Sequence, residues 1–491
     1  MLLNAKQILS IVGGTYLVEP MDACALATGL QWDSREVSLG DVYVAMPGER
    51  VDGHSFVDAA IRAGALVVLV MQPVSEQTKH LAREFGAAVI EVANTQSAIT
   101  DLASAWRTML GGKVIALTGS SGKTTTKNLI RQVLSARYKV VATKANQNNE
   151  LGVPKTILNA NADTDYLVVE MGMRGLKQIA ELSSFVHQDM GLIVNVGESH
   201  IELLGGRDNI ARAKAEIFEA LPNGVGVAFV NEADDYAQFV IDHARLHERG
   251  VRVVYFGGVF AEGETPVEPQ EHEACARVWA EEAGLDEQGQ AHFVLRARGF
   301  GFDEQRQTCR LHLRGMHNVS NACAAAAVAC VCGMTLDAIA EALELAEPEA
   351  GRQEFLHARA GYTVINDAYN ANPESMRASL TMFSSLAVAG RRIAVLGDMG
   401  ELGDYALACH QGIGSFAAGL NLDLLIFVGE LSRASYDAAR EAGMPEHKLM
   451  YAHSISEVFE TLDIYLEPSD TVLVKASHFM ELNRVVEGLL V

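Results

Sequence analysis

An apolar run, Lys113-Val-Ile-Ala-Leu-Thr118, stops at the glycine loop Gly119-Ser-Ser-Gly122, and a helical pattern opens at Lys123-Thr124 and continues to about Arg137. Few folds accept that order. A β-strand must end, the chain must turn on its glycines, and a helix must start with its N-terminus facing the turn. The backbone N–H groups of such a loop, with the positive end of the helix, make a cradle for phosphate. Lys123 is then placed to reach terminal phosphates and the Thr124 hydroxyl to ligand Mg²⁺. The spacing is the short GxxGKT, because Leu117 stands where the longer GxxxxGK[ST] pattern has its first glycine. The bland alternative is a glycine-rich turn with an exposed lysine. A strand before and a helix after favour a bound nucleoside triphosphate.

At 491 residues the chain has material for two to four domains, each able to bury a core. Lysine and arginine total 39 against 62 acidic residues, giving −23, and no basic block stands out. That balance argues against nucleic acid or an anionic membrane as the main partner. The seven cysteines are scattered, with no CxxC pair, as suits reduced thiols in a cytoplasm. Cys330 and Cys332 lie in an alanine-rich stretch where packing explains them better than a metal does. Met1–Leu17 lacks the charge and apolar run of a secretory signal, and Ala322–Cys332 is too short to span a bilayer. The expectation is a soluble cytoplasmic protein with no membrane span.

Three α/β regions separate, at 1–108, 109–332 and 333–491. The first mixes short strands (Asp41–Met46, Ala65–Met71, Ala87–Val92) with amphipathic helices such as Ser55–Ala63. The second alternates helices with Lys113–Thr118, Tyr166–Glu170, Gly191–Val196, Val225–Val230 and Val251–Phe256, which reads as a parallel sheet of phosphate-loop type with ligands at its carboxyl ends. A charged stretch, Ala261–Gly289, precedes β-like runs near His292–Arg296 and Thr308–Leu313, expected to form a peripheral antiparallel piece. The third region alternates again, with Tyr362–Asn366, Arg392–Leu396, Leu424–Val428 and Thr471–Val474 as strands of a Rossmann-like sheet. It lacks GxGxxG, so no dinucleotide is indicated. Leu336–Glu347 and Pro348 read as a helix and linker feeding it.

Candidate chemistry gathers at strand ends. Glu170 closes an otherwise apolar strand in the phosphate-loop region, where a carboxylate is placed to hold a metal. His200 follows the next strand in Asn195-Val-Gly-Glu-Ser-His200 and could complete a Mg²⁺ or Mn²⁺ shell, although Mg²⁺ prefers oxygen. Lys214, between Ala213 and Ala215 in the helical run Asn209–Ala220, reads locally as a surface lysine. In the third region Asn366-Asp-Ala-Tyr-Asn-Ala-Asn-Pro373 is dense in capping residues but could equally bind ribose or substrate. The loop Val395–Gly403 exposes Asp398 and Glu401 on similar logic. Asp33-Ser34-Arg35 could present an arginine to phosphate, or could be a surface turn.

Taken in order, these motifs resemble the Mur ligase family, the ATP-dependent amide ligases of cell-wall precursor synthesis, over nearly the whole chain. TGSSGKTTT is similar to that family's short phosphate loop, Gly315-Met-His-Asn-Val-Ser-Asn-Ala322 to its GxHNxxNxxAA, and Asn148-Asn-Glu-Leu-Gly-Val-Pro154 to an NN[DE]xGVP segment. NDAYNANPESM and VLGDMGELG carry the most specific likeness, and DNPR, expected of the ligases that add the third peptide residue, is absent. A folate-glutamylating relative would share the loop and metal groups, and a regulatory ATPase without ligase activity would need no second metal site.

The resemblance implies ATP, two Mg²⁺ sites, and the small-molecule substrates UDP-N-acetylmuramoyl-tripeptide and D-alanyl-D-alanine, acted on by a monomer. It places ATP against Gly119, Ser120, Ser121, Gly122, Lys123, Thr124 and Thr125, with Asn318 toward adenine and Arg352 and Asp367 toward phosphates and ribose. Metal falls to Thr124, Glu170, His200 and Lys214. Lys214 lies fourteen residues after His200, the family's spacing for a carbamylated lysine, which reverses the local reading. Ser34 and Arg35 match the pair that holds the UDP moiety, and Asn148, Asn149, Tyr369, Asn370, Asn372 and Lys475 fall to the substrates.

Overall fold

The computed structural model describes residues 1–48, 51–261, 276–302 and 304–490. Three main sheets organise them. The central one has nine strands, ordered Gln305–Arg314, Gln290–Arg298, Ala276–Leu285, Arg252–Phe260, Val227–Asn231, Met190–Ile193, Lys113–Thr118, Tyr166–Glu170 and Val140–Ala142. From Ala276–Leu285 to Val140–Ala142 every pairing is parallel. Its middle strands are apolar runs buried on both faces, as helix-covered parallel strands must be.

Register fixes where the chemistry falls. Glu170 pairs with Leu117, and Ile193 with Thr118, so Glu170 and Asn195 emerge on either side of the glycine loop.

The far end of this sheet departs from expectation. Ala276–Leu285, within the charged stretch, pairs in parallel with Arg252–Phe260; Gln290–Arg298 then pairs antiparallel with Ala276–Leu285, and Gln305–Arg314 antiparallel with Gln290–Arg298. They continue the central sheet rather than forming a separate piece. Residues 262–275 of that stretch lie outside the described ones. The inward alternation Ala276, Val278 and Ala280 was hidden among charges, which Glu281–Arg296 and Glu232–Arg277 ion pairs neutralise. Helix His317–Val331 packs against helix Lys123–Ser135 and this sheet, and its alanines permit the close approach. Cys323 and Cys330 are buried there as small apolar groups. Leu336–Glu344 turns its apolar face onto the same core and onto strand Gln305–Arg314.

The C-terminal sheet runs Glu354–His357, Thr363–Asp367, Thr471–Lys475, Arg392–Gly397, Leu424–Val428 and Leu449–Ala452, parallel but for its first edge strand. The N-terminal sheet of Thr15–Val18, Ala88–Glu91, Val67–Val70, Asp41–Val44 and Gly29–Gln31 is likewise parallel except at Thr15–Val18. The helix expected over Ser55–Ala63 starts as a 3₁₀ turn, Gly53–Phe56, and becomes α-helical at Val57–Arg62. No described helix is long and apolar enough to cross a membrane.

Candidate active site

The glycine loop is held open from below. Asn195 Oδ1 accepts from the Ser120 and Ser121 amides at 3.0 and 2.9 Å, while its Nδ2 donates to Ser121 Oγ at 2.9 Å. Gly122 adopts φ +72°, and a Cβ there would stand 2.8 Å from Asn321 Oδ1, so only glycine fits. Lys123 folds back over the loop, its Nζ donating to Gly119 O at 2.7 Å. Desolvation holds its ammonium below the usual lysine range.

Glu170 is 1% exposed. Its Oε1 accepts from Asn148 Nδ2 at 2.9 Å and from Thr124 Oγ1 at 3.3 Å. Its Oε2 is buried without a hydrogen-bond partner, 3.8 Å from Lys127 Nζ. Lys127 lies one helical turn beyond Lys123 and is itself buried. Sequence reasoning passed over it because a lysine at i+4 in a helix reads as surface.

Lys214 is the larger correction. The local reading made it a surface lysine; it is 1% exposed, on the inner face of helix Arg207–Glu219. Burial, then the like charge of Lys123, pushes its ammonium well below the ordinary value. A lowered ammonium pKa favours the neutral amine, which is the nucleophilic form. His200 sits at φ +64° at the head of the short helix Ile201–Leu204, its imidazole against the Glu401 carboxylate of the C-terminal domain. Glu401 also meets Arg174 at 3.3 Å.

Across the cleft, Asp367 pairs with Lys475 at 2.8 Å and with the Ser379 hydroxyl. Arg352 lies over the Tyr369 ring, 4.3 Å from its centroid. Lys475 Nζ also donates to Asn370 O at 3.0 Å. Asn372 caps helix Pro373–Ser385 through the Ser375 amide at 2.8 Å, and its Nδ2 reaches Ser199 Oγ at 2.6 Å. It is therefore cap and inter-domain contact at once. Asn149 Oδ1 accepts from the Gly152 amide at 3.0 Å, in the turn that leads into helix Gly152–Leu158. Asn318 is buried, donating to Arg314 O at 2.8 Å and accepting from Asn321. Asp398 is not exposed as expected: 5% accessible, it accepts from the Ser432 and Leu431 amides and caps helix Ser432–Glu441.

One cleft of about 1760 Å³ gathers the sequence-predicted residues, from Ser120 through Thr125 to Asn148, Asn149, Glu170, His200, Asn318, Arg352, Asp367, Tyr369, Asn370 and Asn372. Gly119 and Lys214 are not among the residues that line it. Ser34 and Arg35 lie outside it, on the N-terminal domain, where Arg35 is paired with Asp33 at 2.6 Å and largely exposed. Nearby, Lys155 reaches across from the central domain to Gln31 Oε1 at 2.8 Å, its Nζ 4.4 Å from the Trp32 ring centroid. Glu401, expected at an exposed strand-end loop, is instead engaged by His200 and Arg174. Asn195, Lys127 and Glu374 are the site residues sequence reasoning missed, and Asn195 and Glu374 each stood inside a motif already quoted, masked by more conspicuous neighbours.

Comparison with known proteins matches residues 27–107 to "Mur ligase family, catalytic domain", 117–329 to "Mur ligase middle domain" and 351–478 to "Mur ligase, glutamate ligase domain". A Mycobacterium tuberculosis protein named UDP-N-acetylmuramoyl-tripeptide–D-alanyl-D-alanine ligase is 36% identical, over 99% of this chain and 97% of its own. The crystal structure of MurF from Acinetobacter baumannii superposes with a TM-score of 0.82 at 31% identity, covering 100% of this chain and 99% of that one. The Thermotoga maritima MurF ligase in complex with ADP gives 0.73 at 25% identity, covering 94% and 96%.

Proposed function

The chain belongs to the Mur ligase family, and we propose that it spends ATP to join D-alanyl-D-alanine to UDP-N-acetylmuramoyl-tripeptide through an acyl phosphate, in peptidoglycan precursor synthesis. The observation that carries this reading is the single cleft in which the phosphate loop faces the Asp367–Asn372 tract of the C-terminal domain.

A carboxylate is a poor electrophile because its leaving group would be oxide. Transfer of the γ-phosphoryl group to the peptide carboxylate replaces that leaving group with phosphate. The loop amides and Lys123 hold and neutralise the phosphates, so the chemistry is mainly positioning and charge compensation. Asn318 lies toward the adenine, and Arg352 and Asp367 toward phosphates and ribose across the cleft. Asn148, Tyr369, Asn370 and Asn372 border the space left for the peptide and dipeptide, and Ser34 and Arg35 take the UDP end. Contacts of Asn372 with Ser199 and of Glu349 with Asn128 bring the C-terminal domain onto the phosphate loop, which keeps water from an acyl phosphate.

The donor set fits Mg²⁺: Thr124 Oγ1 and Glu170 are hard oxygens, and Glu170 Oε2 is a buried acceptor with no hydrogen bond to lose. Among the described residues no three His, Cys, Asp or Glu side chains converge. A second site beside His200 would take its charge from Lys214 as a carbamate. Bound there, the metals would neutralise phosphate charge.

The test is phosphate release on adding D-alanyl-D-alanine and UDP-N-acetylmuramoyl-tripeptide singly and together with ATP. Release that needs both supports the reading; release with neither, or with another amine in place of the dipeptide, overturns it.

A further inference from the structure

We propose that Glu374 is a catalytic residue that binds the incoming ammonium group and takes its proton, a role that rests on the ligase reading above. Glu374 is the second residue of helix Pro373–Ser385, yet its side chain leaves its own domain and enters the phosphate-loop region. Ser121 Oγ donates to its Oε2 at 3.4 Å. Its other oxygen lies so close over Gly197 that a Cβ there would fall 1.7 Å from it. A slot floored by glycine admits this carboxylate and nothing larger at position 197.

The remaining acids that face the cleft and are at least half-buried are committed. Glu170 is engaged by Asn148, Thr124 and Lys127; Asp367 by Lys475 and Ser379; Glu401 by His200 and Arg174; Glu349 by Asn128. Among the described residues Glu374 has one long hydroxyl bond and no cation at ion-pair distance. A carboxylate beside a phosphate cradle repels phosphate, so its placement calls for a cation.

The reaction supplies one. An α-amino group with a pKa of about 8 arrives largely as ammonium and cannot attack until it loses a proton. The carbon it attacks carries the phosphate that this loop holds, which brings the nitrogen to the mouth of the Glu374 slot. The ammonium proton passes to the Glu374 carboxylate, and the nitrogen lone pair forms the C–N bond. The carbonyl re-forms as the bond from carbon to the phosphate oxygen breaks with its pair, and the departing phosphate takes the second N–H proton.

The surroundings favour a proton acceptor. Glu198 and Asp234 on the central domain face the same region, with Arg207, Lys123 and Lys214 as more distant cations. Burial first, then Glu198, raises the Glu374 carboxyl above the usual range.

Hydroxylamine tests the role directly, because it is uncharged at neutral pH and attacks acyl phosphates without a base. In Glu374→Gln the ratio of dipeptide amide to hydroxamate should fall at least about 100-fold, within the range for general-base loss, and the dipeptide KM should rise. Glu374→Asp should recover part of the ratio. An unchanged ratio, or equal loss of both products, overturns the proposal. Wild-type enzyme that yields neither product would instead overturn the ligase reading.

Discussion

Asp367 and Lys475 are register partners on adjacent parallel strands, and their side chains meet at 2.8 Å at the buried lip of the cleft. Neither strand's apolar sequence requires a charge at its end, and each charge answers the other.

Asp367→Asn leaves the Lys475 ammonium buried without its carboxylate. The loss should be about 3 kcal/mol, the lower end for a broken buried pair, because Asn370 O still accepts from Lys475. Urea unfolding checks this, and Asp367→Asn combined with Lys475→Met should regain part of the stability.

Lys123→Ala should cut ADP formation by on the order of 100- to 1000-fold, as loss of a transition-state cation does. The UDP substrate should still bind, since Ser34 and Arg35, proposed above to hold it, lie outside the cleft. ADP release assays and calorimetric titration with the UDP substrate separate the two effects.

Burial and the like charge of Lys123 push the Lys214 ammonium well below the ordinary lysine value, which favours the neutral amine that adds to carbon dioxide, with loss of one proton, to give a carbamate. Carbon-13 NMR in labelled bicarbonate should show one carbamate signal, absent in Lys214→Arg. Turnover should fall when dissolved carbon dioxide is stripped and return with bicarbonate.

Asp470 gives a pH signature outside the site. Burial alone would raise its carboxyl, but Arg391 and the Glu467 and Arg391 amides outweigh that and hold it below 3.8. Its contribution is present above pH 3.8 and fades as pH falls through the lower folded value. Asp470→Asn should cost about 1–3 kcal/mol at pH 6, with the gap to wild type in urea midpoint narrowing below pH 3.8.

The parallel core was legible because buried strands read as apolar runs and Lys113–Thr126 carries its own punctuation. Glu170 was legible for the same reason, as a charge ending such a run. Lys214 and Lys127 were not, because helix periodicity says which face a residue occupies but not what covers that face. Asp398 looked exposed since a strand-end acid usually is; its use as a cap for Ser432–Glu441 depends on a helix over thirty residues later. Ala276–Leu285 was missed because cross-strand ion pairs that neutralise its charges exist only after folding.

Activation of the peptide carboxylate as an acyl phosphate leaves an isotopic trace. A tripeptide substrate labelled with oxygen-18 in its terminal carboxylate tests it in one turnover. One labelled oxygen should appear in each phosphate released with the amide. Unlabelled phosphate alongside full amide formation would rule out an acyl phosphate.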